Sequence, residues 1–195
     1  SKELVLSSPY LVPGKVGMDL FKGLRDKGVK ITLMTNSLGS TDEPIVHAGY
    51  TLYREPMLEL GIDLYEISSS RVKRNRRMNL FGASLGRLHA KTAVIDRKTL
   101  FVGSMNLDPR SATINTELGA VIESPELARE LLRVIDIDRL QSAYRVRLSA
   151  SGNGCEWLSM EADDSVVVLT EEPDSSTWQR FKLWMLSPFI PESLL

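Results

Sequence analysis

From position 89 the chain reads HAKTAVIDRKTLFVGSMN. His89, Lys91, Asp96, Gly103, Ser104 and Asn106 thus stand as H-x-K, four residues, D, six residues, then G-S-x-N. At average residue usage, six fixed residues match a chain of this length by chance on the order of a few times in a million. An imidazole, an ammonium, a hydroxyl and an amide brought to one point suit phosphoryl transfer, where charge on the non-bridging oxygens needs fixed donors. The imidazole can attack phosphorus when neutral or protonate a leaving alkoxide when charged. On a strand, His89 and Lys91 share a face, as do Ser104 and Asn106, whereas Asp96 has the opposite parity. Asp96 is therefore expected to be structural, holding a strand end. Gly103 is expected to permit close backbone approach.

The string resembles the signature of the phospholipase D superfamily, and the run on to Asp108-Pro109-Arg110-Ser111 and Asn115-Thr116-Glu117 fits as well. Within that superfamily the chain looks like the C-terminal half of a bacterial cardiolipin synthase of the phospholipase D type. The supporting segments are TNSLGSTDEPIVHAGYTLYREPMLELGIDLYEI and a tail with EEP, Trp178 and a closing SLL. The resemblance implies a catalytic set of His89, Lys91, Ser104, Asn106 and Glu117, with Glu117 bonded to the far nitrogen of His89. It implies transphosphatidylation of glycerophospholipids through a phosphohistidine, with this chain supplying one of two H-x-K motifs. In two-motif members the N-terminal motif generally supplies the nucleophile, which makes His89 the general acid. The chain is then an incomplete site, and its partner is the other half or a symmetric copy. No cofactor and no metal are expected, and the implied location is peripheral, at a bacterial inner membrane. The competing reading is a phosphodiesterase or nuclease acting as a symmetric dimer; a non-enzymatic half domain is the third.

These residues need a scaffold, and the pattern supplies one. Strand-like runs at 3–7, 29–35 and 62–67 alternate with helical spacing at 16–27 and from Pro44, the latter crossed by Pro56 and stopped at Gly61. Strand, helix, strand, helix, strand predicts an α/β fold with a mixed, largely parallel sheet flanked by helices. Residues 68–87 lack apolar periodicity and read as a long loop. Strands follow at 88–95, 99–102 and 117–122, then a helix over 126–144. From about 147 the composition changes, and a hairpin plus a last helix are expected. The predicted division is a catalytic half domain at 1–146 and a C-terminal extension at 147–195 packed on it. The chain opens at Ser1 almost directly on a strand, without an initiator methionine, and is expected to be a fragment of something longer.

Composition narrows the rest. With 43% hydrophobic and 25% charged residues among 195, the chain is an ordinary globular domain with a core of its own. Its 24 basic and 25 acidic side chains leave a net charge of -1, which disfavours nucleic acid as a partner. One cysteine excludes an intrachain disulfide. The basic run from Arg71, including Arg74, Arg76 and Arg77, is a candidate contact for anionic head groups at a membrane surface. Asn36 and Ser37 follow a strand's C-terminal end, where ligands tend to sit, and are candidate substrate contacts. His47, on a helix among aromatics, reads as packing.

Overall fold

A computed structural model describes residues 1–74, 87–152, 154–160 and 165–186, with main chain alone at 73–74, 137–141 and 184. The first five elements follow the expected alternation: β1 (Glu3–Ser7), α1 (Gly14–Asp26), β2 (Lys30–Asn36), α2 (Pro44–Glu59) and β3 (Asp63–Ile67). Left-handed glycines terminate both helices, Gly28 at φ 76° and Gly61 at φ 73°. α2 continues past Pro56 and ends three residues later, at Glu59. After β3 come α3 (Ser69–Arg74), β4 (Lys91–Ile95), β5 (Thr99–Gly103), α4 (Pro109–Thr113), β6 (Gly119–Glu123) and α5 (Pro125–Gln141). The chain ends with β7 (Ala143–Leu148), β8 (Cys155–Met160), β9 (Val166–Leu169) and α6 (Thr177–Leu186).

Among the described residues nine strands form one sheet, in the order β6-β5-β4-β1-β2-β3-β7-β8-β9. Only β1–β2 and β2–β3 pair in parallel, and the other pairings are antiparallel. The fold is the expected mixed α/β sheet flanked by helices, but it is mostly antiparallel rather than largely parallel. The reason is local. Asp96 and Arg97, at φ 52° and 58°, make a two-residue turn closed by Lys98 N–H to Ile95 O, and such a turn forces β4 and β5 antiparallel. β7 then inserts beside β3 in the opposite direction.

β2 and β3 are buried on both faces, as central strands should be. One face packs Ile31, Leu33 and Leu64 against Phe21 of α1 and Tyr50 and Met57 of α2. The other packs Val5, Met34, Tyr65 and Val94 against Ala128 and Ile135 of α5. The apolar face expected of α1 is only partly inward: Phe21 is buried, whereas Val16 is 84% exposed and Leu20 is also exposed.

Three further differences concern the chain after β3. The predicted loop at 68 begins as helix α3, started by the Ser68 hydroxyl accepting from Arg71 N–H. The helix predicted to reach residue 144 stops at Gln141, and β7 follows. Its alternation Tyr144-Arg145-Val146-Arg147 is the strand signal, with Tyr144 and Val146 buried and both arginines exposed. The boundary expected at 146/147 consequently falls inside β7, and β8 and β9 continue the same sheet.

A buried ion cluster ties the last third of the chain to α2. Arg54 meets Glu66 at 3.0 Å and Glu172 at 2.6 Å, and its guanidinium lies over the rings of Tyr50 and Trp157. Tyr50 and Trp157 each donate to Glu66, at 2.7 and 2.9 Å. His47 is buried here too, its Nε2 accepting from Arg54 at 3.2 Å. Burial alone would push the Glu172 carboxyl up, but the Arg54 charge overrules it and holds it down at about 2. Glu172→Gln should therefore destabilise the protein by on the order of 3 kcal/mol, because a buried cation loses part of its compensation. Since the folded-state value is depressed, the contribution of Glu172 is complete at neutral pH and fades as pH falls through the ordinary carboxylate range toward about 2. Denaturant titrations across that range should show the variant losing less stability to acid than the wild type.

Candidate active site

Strand register assembles the motif. Lys91, the first residue of β4, pairs with Gly103, the last of β5, and Gly103 pairs with Gly119, the first of β6. Lys91, Ser104 and Glu117 therefore meet at one end of three adjacent antiparallel strands. The close approach at Gly103 and Gly119 is enforced by Phe101, whose ring lies across both glycines. A Cβ at Gly103 would sit 2.7 Å from the Leu118 carbonyl and 2.7 Å from the Phe101 ring, and one at Gly119 would sit 2.3 Å from that ring.

His89 departs from the expected geometry. β4 begins at Lys91, so His89 lies on the approach to the strand and strand parity does not orient it. It is exposed, with its backbone carbonyl accepting from Lys91 Nζ at 3.0 Å. Lys91 is half-buried. Burial lowers its pKa, while Glu117, Asp42 and Asp108 favour its charged form. The Ser104 hydroxyl donates to the Glu117 carboxylate and also accepts from Leu118 N–H at 3.0 Å. The Ser104 hydrogen bond foremost holds the Glu117 carboxyl below the usual carboxylate range. Glu117 was expected to hold the imidazole of His89; among the described residues its hydrogen-bond partners are instead Ser104 and Asn115. Asn106 has a buried Oδ1 with no hydrogen-bond partner among the described residues, unusual for a folded protein and suited to a ligand donor.

The loop carrying Asn106 is pinned through Leu107. Leu107 N–H donates to Ser8 Oγ at 3.0 Å, and its carbonyl accepts from Val12 N–H at 2.7 Å. Asp108 caps α4, accepting from Ser111 N–H at 2.7 Å. Asp96 sits at the far end of β4 from Lys91, where it accepts from the Lys2 and Glu3 amides.

One pair of expected substrate contacts does not present itself to a ligand. Asn36 and Ser37 are buried, their polar atoms turned to Leu88 and Ser40. Arg71 reaches inward to Ser159 and the Met160 carbonyl, beneath the Tyr144 ring. Arg76, Arg77 and the side chain of Arg74 lie outside the described residues.

Comparison with known proteins fits this geometry. Residues 1–139 match the family model described as "Cardiolipin synthase, PLD-like domain". The chain belongs to the phospholipase D-like domain family of the cardiolipin synthases. Cardiolipin synthase C of Escherichia coli is 37% identical over the whole of this chain, which spans 41% of that protein's length. Among solved structures, the phospholipase D family member Nuc from Salmonella typhimurium shares the fold with a TM-score of 0.53 and 20% identity, over 75% of this chain and 82% of that one. Phosphatidylserine synthase from Haemophilus influenzae aligns over 100% of this chain and 41% of its own length, with a TM-score of 0.57 and 15% identity.

Within this phospholipase D-like domain, the sequence motif left out Phe101 and Tyr10. The signal for Phe101 is its place two residues before Gly103, on the same face of β5. Tyr10 donates to Asp42 at 3.1 Å, and burial with the Asp42 charge pushes its hydroxyl up to about 12. Nothing in its own sequence context marks it. The paired glycines yield a direct test. Gly103→Ala should force β5 and β6 apart beside the Ser104–Glu117 contact, costing about 1–3 kcal/mol of stability, as overpacking does. Adding Phe101→Ala should not restore the melting temperature, because the Leu118 carbonyl remains in the way.

Proposed function

We propose that this chain is one half of a transphosphatidylase site that forms cardiolipin-type products from glycerophospholipids through a phosphohistidine. The observation that carries the reading is the convergence of Lys91, Ser104 and Glu117 at one end of β4, β5 and β6, with His89 exposed beside them. Lys91 and the Asn106 amide face the non-bridging oxygens of a phosphodiester. A histidine of the second motif attacks phosphorus, forming the N–P bond as the P–O bond to the leaving alcohol breaks. His89, protonated, gives its proton to that alcohol oxygen. The acceptor alcohol then attacks phosphorus, His89 takes the acceptor's proton, and the N–P bond breaks. Glu117 acts on this centre through Ser104 and through its charge beside Lys91.

The second histidine comes from outside this chain. Its other histidine, His47, is buried in the Arg54 cluster. Two requirements follow: an imidazole from the other half or from a symmetric copy, and a surface to receive its bearer. Leu118 at 83% exposure, beside Glu117, and Val121 at 74%, on β6, supply apolar area suited to such a surface. Peripheral attachment to an anionic bilayer is supported by α6. There Trp178, 61% exposed, stacks on Phe181 at 5.8 Å under the ammonium of Lys182. No helix among the described residues is long and apolar enough to cross a membrane.

The test compares phosphatidylglycerol vesicles with single-stranded DNA as substrates. Monomeric chain should turn over neither, and lipid transfer should appear with dimer or with the upstream half supplied. Robust turnover by a monomer in sedimentation would overturn the half-site reading, and cleavage of DNA alone would overturn the lipid one. In the active form, His89→Ala should abolish transfer. A strong chelator should leave the rate unchanged, because Lys91 supplies the fixed positive charge.

A further inference from the structure

The segment that carries His89 is held in an unusual way. β4 begins only at Lys91, so Leu88 and His89 lack the ladder of bonds a neighbouring strand would provide. At Leu88 a single side chain takes the place of that strand. Asn36 Oδ1 accepts from Leu88 N–H at 2.8 Å, and Asn36 Nδ2 donates to the Leu88 carbonyl at 3.0 Å. A primary amide offers a donor and an acceptor side by side at every ordinary pH, as a backbone peptide pair does. Asn36 is the last residue of β2 and is 2% exposed, so its own place is set by the sheet. It is out of reach of a substrate at the surface, yet one peptide unit separates its contact from His89.

The arrangement at Leu107 matches it. That residue, next to Asn106, also has both backbone groups engaged, by Ser8 and Val12. The Asn36 amide lies 3.5 Å from the Pro9 carbonyl, between those two anchors in sequence. The start of the chain and the end of β2 thus grip the two functional segments by the residue beside each functional side chain.

We propose that Asn36 is the positioning residue for His89, fixing the imidazole's reach to phosphorus through the backbone of Leu88. The role rests on the phosphotransfer reading above. Displacing a reacting group by about 1 Å can cost on the order of 100-fold in rate. Asn36 therefore acts on turnover rather than on substrate affinity.

The experiment uses the full-length protein that carries this chain, with hydrolysis of bis(p-nitrophenyl) phosphate and transfer in phosphatidylglycerol mixed micelles as readouts. Asn36→Ala should lower kcat by about 10- to 100-fold with KM within about twofold. It should also lower the melting temperature, so Met57→Ala, a core truncation far from the motif, serves as the control and should keep wild-type kcat at a comparable loss of melting temperature. Asn36→Asp adds a sharper reading. Its carboxyl can donate to the Leu88 carbonyl only when protonated, so the ratio of variant to wild-type kcat should rise as pH falls. Wild-type kcat in Asn36→Ala, with His89→Ala inactive in the same assay, would overturn the positioning role alone. A pH-independent ratio for Asn36→Asp would also count against it. Full activity in His89→Ala would overturn the phosphotransfer reading and this role with it.

Discussion

Where two glycines face each other across β5 and β6, no side chain stands between the strands, and the Phe101 ring lies over the gap. That contact fixes the register of the site. With Gly103 opposite Gly119, Ser104 reaches Glu117, while the Asp96–Arg97 turn sets Lys91 beside Gly103. A one-residue slip would turn each of these groups to the other face of the sheet. The bulk of the pairing is made by Val94, Leu100 and their neighbours against α5, but those apolar residues tolerate substitution by others of similar volume. The glycine pair does not, because a Cβ would meet the Leu118 carbonyl at Gly103 and the Phe101 ring at Gly119.

Around this register the site divides by solvent exposure. His89 and Ser104 are exposed, and Lys91 is half-buried among carboxylates that favour its charge. What holds them is buried: Asn36, Ser8 and the cap at Asp108. The chemistry therefore sits on an open rim over a rigid floor, an arrangement in which substrate can approach while each functional side chain keeps its geometry. The buried Arg54 cluster is a separate device. It joins α2, β3 and β8 to the Glu172 turn, and its role is to seat the end of the chain against the first helices.

Much of this was legible in the sequence, and the parts that were not share a cause. The motif named its residues because type and spacing were both constrained. The first five elements followed from apolar periodicity, with Gly28 and Gly61 marking the helix ends. Strand direction did not follow, because an alternating run reads the same either way and the Asp96–Arg97 turn lacks the glycine that usually announces a hairpin. β7 was hidden behind a helical pattern ending only two residues earlier. The place of Asn36 was not legible, because its hydrogen-bond partner is set by packing between distant segments. Asn36 and Leu88 are 52 residues apart, and no local pattern links them.

The place of β1 in the sheet has a consequence for how the molecule is made. It is an inner strand, flanked by β2 on one side and β4 on the other. Synthesis delivers β1, β2 and β3 before β4 and the Leu107 loop, and these later segments reach far back along the chain, β4 to β1 (Ser7 with Thr92, Leu4 with Ile95) and Leu107 to Ser8, 99 positions away. During that interval the nascent sheet carries an open apolar edge at β1, a template for pairing with another chain. Contacts of such long sequence separation also close slowly, since loop-closure entropy must be overcome before they form. Partly synthesised chains should therefore be the species most prone to aggregate, and the catalytic rim should be among the last regions to acquire its native order.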